Sequence, residues 1–256
     1  MTGLDALVLG LVQGLTEFLP VSSSAHLVMG EELLGANEPG IAFDVLVHSA
    51  TLLAVLVYFR KRILQLFRDH SWGYAAKIVV GTIPAAAVGL LFESQLEGTF
   101  DDLGLLVLTL AITGVLLLSL DAIPKGRSEV VEPTWWQAWW IGCAQMVAIL
   151  PAISRSGATI VTARWLGLAP APSAEFSFLL SIPALAGALV LQLGEIQAGI
   201  SGQGVAYSLG WIAAFVSGIV AIMLVFRLLA RGRFSLFGWY CLAAAAAFGA
   251  WVWLGR

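Results

Sequence analysis

Six apolar runs of 17 to 20 residues, at 41–59, 76–92, 104–120, 174–193, 208–226 and 237–254, recur along this 256-residue chain. A helix needs about 20 such residues to cross a hydrocarbon core of ~30 Å, and backbone in lipid must satisfy its own polar groups. Only 11% of residues are charged and 59% are apolar, too few charges to cover a soluble domain of this size. The fold class expected is all-α and polytopic in a membrane. The opening residues, MTGLDALVLG, lack a basic region and a cleavage site, so no removable signal peptide is expected. Cys143 and Cys241 lie in apolar segments without metal-like spacing and read as buried thiols. No basic tract points to nucleic acid.

The chain repeats itself at an offset of 131–133 residues. Leu19-Pro20 and a serine cluster align with Leu150-Pro151, Ser154 and Ser156, and the runs at 76–92 and 104–120 fall over 208–226 and 237–254. Each match is thin, and their common order carries the signal. The reading is two repeats, 1–121 and 135–256, joined by a linker at 122–134. Each holds three spans preceded by an apolar segment broken at Pro20 or Pro151, in hairpins 3–34 and 136–167. Pieces of about fourteen residues are short for a span, which favours re-entrant hairpins over paired spans.

Loop charges give an orientation. Arg60, Lys61, Arg62 and Arg68, then Lys125 and Arg127, then Arg227, Arg231 and Arg233 mark cytoplasmic segments, whereas 93–103 and 194–207 contain no Lys or Arg and read as external. With three spans per half the two repeats must be inverted, and inverted repeats with broken helices place sites between the breaks.

The breaks carry ionisable groups. Glu17, His26 and Arg155 lie in otherwise apolar surroundings, where a charge costs roughly 3 kcal/mol or more and so lines a cavity or meets a partner. Gln13 and Glu17 share a helix face. They could ligate a divalent cation, Glu17 could act as a base, or the two could simply hydrogen-bond. Ser22, Ser23 and Ser24 offer hydroxyls that either cap the next helix or include a nucleophile with Glu17 or His26 as its base. Ser154-Arg155-Ser156-Gly157-Ala158-Thr159 suits an oxyanion, with a planar donor fork, flanking hydroxyls and a glycine for close approach. An Arg155–Glu17 ion pair would also explain both charges, and such a pair could hold the empty site. Asp44 and His48, four apart, read as an interfacial pair ahead of the alternative that they neighbour the site.

QGLTEFLPVSSSAH (Gln13 to His26) and LPAISRSGAT (Leu150 to Thr159) resemble the two signatures of the bacterial undecaprenyl-diphosphatase family, also known for bacitracin resistance. The first signature is Glu/Gln-x-x-x-Glu, then Pro-x-Ser-Ser and a nearby His; the second is Pro-Gly-x-Ser-Arg-Ser-x-x-Thr. FDVLVHSATLLAVLVYF (43–59) and AEFSFLLSIPAL (174–185) extend the likeness. Ala152 replaces a signature Gly and Ala25 a common Gly before the His; neither change removes a reactive group.

The resemblance implies hydrolysis of undecaprenyl diphosphate to the monophosphate, recycling a lipid carrier of cell-wall synthesis, with Mg²⁺ or Ca²⁺ as cofactor. By position, Ser23 is expected as nucleophile, Glu17 as base or metal ligand, Arg155 as phosphate clamp and His26 as proton donor to the leaving group, the roles of Ser23 and His26 being the pair left open. Ser22, Ser24, Ser154, Ser156, Gly157 and Thr159 are expected to bind substrate, and Gln13 with Glu17 the metal. The expected partners are an isoprenyl diphosphate lipid, the bilayer and a second copy in a homodimer. The expected location is the bacterial inner membrane, with the site facing outward. A lipid-phosphate flippase or transporter is the alternative.

Overall fold

The computed structural model describes residues 1–35, 41–92, 99, 102–124, 130–192, 194 and 203–254. Helices α1 (Gly3–Phe18), α2 (Ser23–Leu34), α3 (Ile41–Tyr58), α4 (Arg60–Arg68), α5 (Trp72–Leu91) and α6 (Leu103–Leu118) make the first half. A 3-10 turn (Ser119–Ala122) follows, then α7 (Trp135–Val147), α8 (Arg155–Trp165), α9 (Pro170–Leu191), α10 (Gly204–Ala230) and α11 (Leu236–Leu254). Among the described residues there is no strand beyond one bridge, Val130 to Leu168, which ties the end of the linker to the turn after α8. The rest of that linker, 125–129, and most of loops 93–103 and 194–207 lie outside the described residues.

Among the described residues five helices are long and apolar enough to cross a membrane, α5, α6 with its 3-10 turn, α9, α10 and α11, and the bent pair α3–α4 makes a sixth if it is one span. The protein is an all-α polytopic membrane protein. At 1.5 Å per residue the pieces α1, α2, α7 and α8 reach only about 17–24 Å, short of a ~30 Å hydrocarbon core. Helices α1 and α2 fold back on each other, as do α7 and α8, each pair around its proline break.

The segment after residue 59, expected as a charged loop, is helical. The chain bends by 59° between α3 and α4, where Phe59 leaves helical geometry with φ −90° and ψ 10°. In α4, Leu66 is buried and Ile63 packs on the core, while Arg60, Lys61 and Arg68 stay exposed. That amphipathic pattern suits a helix lying in the interface plane. Helices also overrun the apolar runs: α5 starts at Trp72, α9 at Pro170 and α10 extends over Gly204–Ala230. Polar residues in water can continue a helix, so hydropathy marks the hydrocarbon-facing part and not the ends. Pro170 fits its place because proline presets the first helical position.

Packing is reciprocal between the halves. Helix α1 lies along α10 and α7 along α5; α3 packs on α10 and α9 on α5; α6 pairs with α11. Glycines make the closest crossings: a methyl at Gly10 would enter the Gly210 carbonyl, and one at Gly142 the Gly81 carbonyl. Small residues at such crossings let backbones approach where lipid supplies no hydrophobic drive. Phe18, Phe59, Phe178 and Phe226 join α1, the α3–α4 bend, α9 and α10 in one aromatic cluster, with ring centroids 5.5–6.2 Å apart. Phe18 directly follows Glu17, so this cluster anchors the end of α1 that carries the carboxylate.

Candidate active site

Each proline break contains a non-glycine residue in left-handed backbone, Ser22 (φ 70°) and Ala152 (φ 59°). These turns aim the following helices inward. Ser22 Oγ caps α2 by accepting from the Ala25 N–H at 3.3 Å, and Ser154 Oγ caps α8 by accepting from Gly157 N–H at 3.1 Å. The breaks are stapled together: Ala152 N–H donates to Ser24 Oγ and Ser156 Oγ donates to the Leu19 carbonyl, both at 3.2 Å. A Cβ on Gly157 would crowd the capping Ser154 side chain and reach ordinary contact with Pro20 of the other break. Thr113 of α6 holds the second break, donating to the Ala152 carbonyl and accepting from the Ser154 N–H. Cys241 of α11 sits against the Pro20 carbonyl of the first break at 3.7 Å.

The N-termini of α2 and α8 therefore meet, with Ser23 and Arg155 as their first residues. Helix N-termini carry partial positive charge and unpaired N–H donors, a ready setting for an anion. Opposite them, Glu17 near the end of α1 is buried, 7% exposed. Its Oε1 is paired with Arg155 Nη2. Its Oε2 accepts from Ser23 Oγ at 2.9 Å and from Gln13 Nε2 at 3.1 Å. Arg155 Nη1 is buried without a partner. Leaving such a donor unmet costs about 1–3 kcal/mol, more beside a charge; a phosphate oxygen would satisfy it.

Of the other expected substrate residues, Ser22, Ser154, Ser156 and Thr159 are buried. Thr159 Oγ1 donates to the Arg155 carbonyl at 2.8 Å and shares a hydrogen bond with Ser177 Oγ at 2.6 Å. These hydroxyls build the breaks, while Ser23 and Ser24 are only partly buried. His26 is not bonded to Ser23: its Nδ1 lies 2.7 Å from the Ser22 carbonyl and its Nε2 2.7 Å from the Tyr240 hydroxyl.

His48 follows the less favoured of its two sequence readings. Its Nδ1 bonds the Asp44 carbonyl at 2.7 Å, and its Nε2 stands 3.8 Å from Glu17 Oε2. The α3 residue read as interfacial thus borders the carboxylate, because α3 packs on α1. Tyr240 had no sequence signal, being an aromatic residue inside an apolar run. Gln145, buried at 2% exposure with neither side-chain polar atom partnered, was also missed. It stands 132 positions after Gln13, so the repeat offset could have found it.

For a divalent cation the offer is modest. Gln13 Oε1 is buried without a partner, beside Glu17. Among the described residues no three His, Cys, Asp or Glu side chains converge on a metal position. A hard cation takes about six oxygens, and Mg²⁺ is usually held by one or two carboxylates plus phosphates. Gln13 and Glu17 fit such an ion when a bound phosphate group supplies further oxygens.

The sequence matches the family described as bacitracin resistance protein BacA over residues 6–247. The chain is 40% identical over 251 residues to an undecaprenyl-diphosphatase of Syntrophotalea carbinolica, covering 94% of this chain and 95% of the relative. It is 41% identical to an undecaprenyl-diphosphatase of Carboxydothermus hydrogenoformans over 94% of both chains. It is 40% identical to one of Desulfosudis oleivorans over 100% of this chain and 99% of that one. With both signature breaks assembled around one carboxylate and this match running almost end to end, the chain belongs to the bacitracin resistance protein BacA family.

Proposed function

We propose that this protein hydrolyses undecaprenyl diphosphate to undecaprenyl phosphate and inorganic phosphate, recycling the lipid carrier and conferring bacitracin resistance. The observation that carries the reading is the Ser23 hydroxyl donating to Glu17 Oε2 at 2.9 Å beside the partnerless Arg155 Nη1. In this mechanism the terminal phosphate rests against the N-termini of α2 and α8, with Arg155 Nη1 on a non-bridging oxygen. Ser23 Oγ attacks phosphorus and passes its proton to Glu17 Oε2. The bridging P–O bond breaks and lipid monophosphate leaves. Water then attacks the phosphoserine, the P–Oγ bond breaks, and Ser23 regains a proton. Fixed donors aimed at the developing charge supply the rate enhancement.

A divalent cation, Mg²⁺ or Ca²⁺, would be held by Gln13 Oε1 and Glu17 with substrate oxygens and would add charge neutralisation. A lipid-phosphate transporter would use the same arginine but would leave the Ser23–Glu17 hydrogen bond without a task.

The same reading treats the halves, 1–121 and 135–256, as inverted repeats with re-entrant hairpins, in the bacterial inner membrane with the site facing outward. It draws on the reciprocal packing, the two glycine crossings and the positive charge of α4. Exposed Trp135, Trp136, Trp139 and Trp140 on α7 suit a cytoplasmic aromatic belt.

Purified protein with farnesyl or undecaprenyl diphosphate and Mg²⁺ is expected to release phosphate, and Ser23→Ala to release almost none. No release by the wild type, beside an active relative under matched conditions, would refute the reading.

A further inference from the structure

His26 has two nitrogens, and the structure fixes what each can do. A carbonyl oxygen only accepts, so the 2.7 Å bond between Nδ1 and the Ser22 carbonyl requires the proton on Nδ1. In the neutral ring Nε2 is then an acceptor, and its 2.7 Å partner, the Tyr240 hydroxyl, must be the donor. The phenol ring also stacks on the imidazole, centroids 5.6 Å apart and planes 13° from parallel. Cys241, the next residue, touches the Pro20 carbonyl, so this part of α11 is docked on the first break by two neighbouring contacts. Tyr240 itself is 48% exposed, on a helix long enough to cross the membrane.

We propose that Tyr240 both orients His26 and relays its proton to the substrate. This rests on the diphosphatase reading and deepens it. With Nδ1–H held by Ser22, only Nε2 can gain or lose a proton, and Nε2 faces the Tyr240 hydroxyl. When His26 is protonated, Nε2–H donates to Tyr240 Oη, which turns its own proton toward the substrate. As the bridging P–O bond breaks, its electron pair goes to the oxygen of the leaving lipid phosphate. That oxygen takes the Tyr240 proton, Oη takes the Nε2 proton, His26 ends neutral and Tyr240 is unchanged. A tyrosine at the boundary between site and exposed face suits a substrate whose phosphate enters while its tail stays in lipid.

Tyr240→Phe keeps the stacked ring and removes the hydroxyl. It is expected to lower kcat by about 100-fold, the low end for a positioned acid, with KM unchanged. Made in a His26→Gln background it should cost little further, since the relay that refills the hydroxyl is already broken. Nitrogen NMR of histidine-labelled protein without substrate supplies a readout a purely structural role would not give. The His26 signal, assigned by its loss in His26→Gln, should show the neutral ring protonated on Nδ1, with the Nε2 shift moving in Tyr240→Phe. Wild-type kcat in Tyr240→Phe, equal losses in both backgrounds, or a neutral ring protonated on Nε2 would overturn the proposal. If His26→Gln is wholly inactive, the kcat of Tyr240→Phe and the spectrum decide. If the wild type releases no phosphate at all, the diphosphatase reading fails instead, and the spectrum still decides the role of Tyr240.

Discussion

At Arg155 the two terminal nitrogens have different tasks: Nη2 neutralises Glu17, and Nη1 waits without a partner. Lysine keeps one charge and loses the fork, so Arg155→Lys is expected to fold normally yet lose about 100-fold or more in kcat, measured by phosphate release. Arg155→Ala leaves a buried carboxylate unpaired, a change that costs about 3–5 kcal/mol in a fully buried pair and less here, where the Arg155 side chain is 16% exposed. Adding Glu17→Gln should restore much of the melting temperature and none of the activity. A double mutant that recovers activity would make Arg155 a structural counter-ion alone. Ala152 poses the opposite case. Its left-handed φ costs about 1–2 kcal/mol, offset in Ala152→Gly by a lost buried methyl, about 0.8 kcal/mol, and by glycine's backbone entropy of roughly 0.5–1 kcal/mol. That substitution should therefore leave stability within about 1 kcal/mol of wild type, read by thermal unfolding in detergent. Glu17 and Arg155 were legible in the sequence because a charge among apolar residues needs a reason. Tyr240 was not, because a tyrosine in an apolar run has an ordinary explanation, and His48 only in part, because a histidine one turn after an aspartate reads more readily as an interfacial pair; packing aims both at the site.

Among elements, the breaks at Pro20 and Pro151 were the most legible, since proline and clustered serines interrupt an apolar helix for stated steric reasons. Helix α4 was not, because its charges masked the pair Ile63 and Leu66 that tertiary packing turns inward. Helix crossings are invisible in a hydropathy pattern, as Gly10 and Gly142 read only as small residues. Their test is steric. Gly10→Val and Gly142→Val should each destabilise by about 1–3 kcal/mol or more, since overpacking here meets backbone and not a yielding side chain. Gly73→Val, where a Cβ meets open space, supplies the control for an added side chain. Equal melting temperatures for all three would place the close crossings elsewhere.

For the whole molecule, α1 packs on α10 and α7 on α5, the reciprocal contacts that the proposed repeat requires. The chemistry is nonetheless one-sided. Gln145 follows Gln13 at the repeat offset, but Ile149 stands where that offset from Glu17 falls, so the second half supplies the arginine and no carboxylate. The proposed orientation has a direct test: on a background lacking Cys143 and Cys241, Gln203→Cys should react with an impermeant thiol reagent from outside intact cells and Arg68→Cys should not. The reverse pattern would turn the protein over in the membrane. The central claim is that Ser23 attacks the terminal phosphate with Glu17 taking its proton. Acid-quenching the enzyme during turnover of prenyl diphosphate labelled in its terminal phosphate tests this most directly. The account predicts label on the peptide carrying Ser23 as an acid-stable phosphoserine, and neither label nor turnover in Ser23→Ala. Label seen in a parallel alkaline quench but lost in acid, the signature of phosphohistidine at His26, or undiminished turnover in Ser23→Ala, would contradict it.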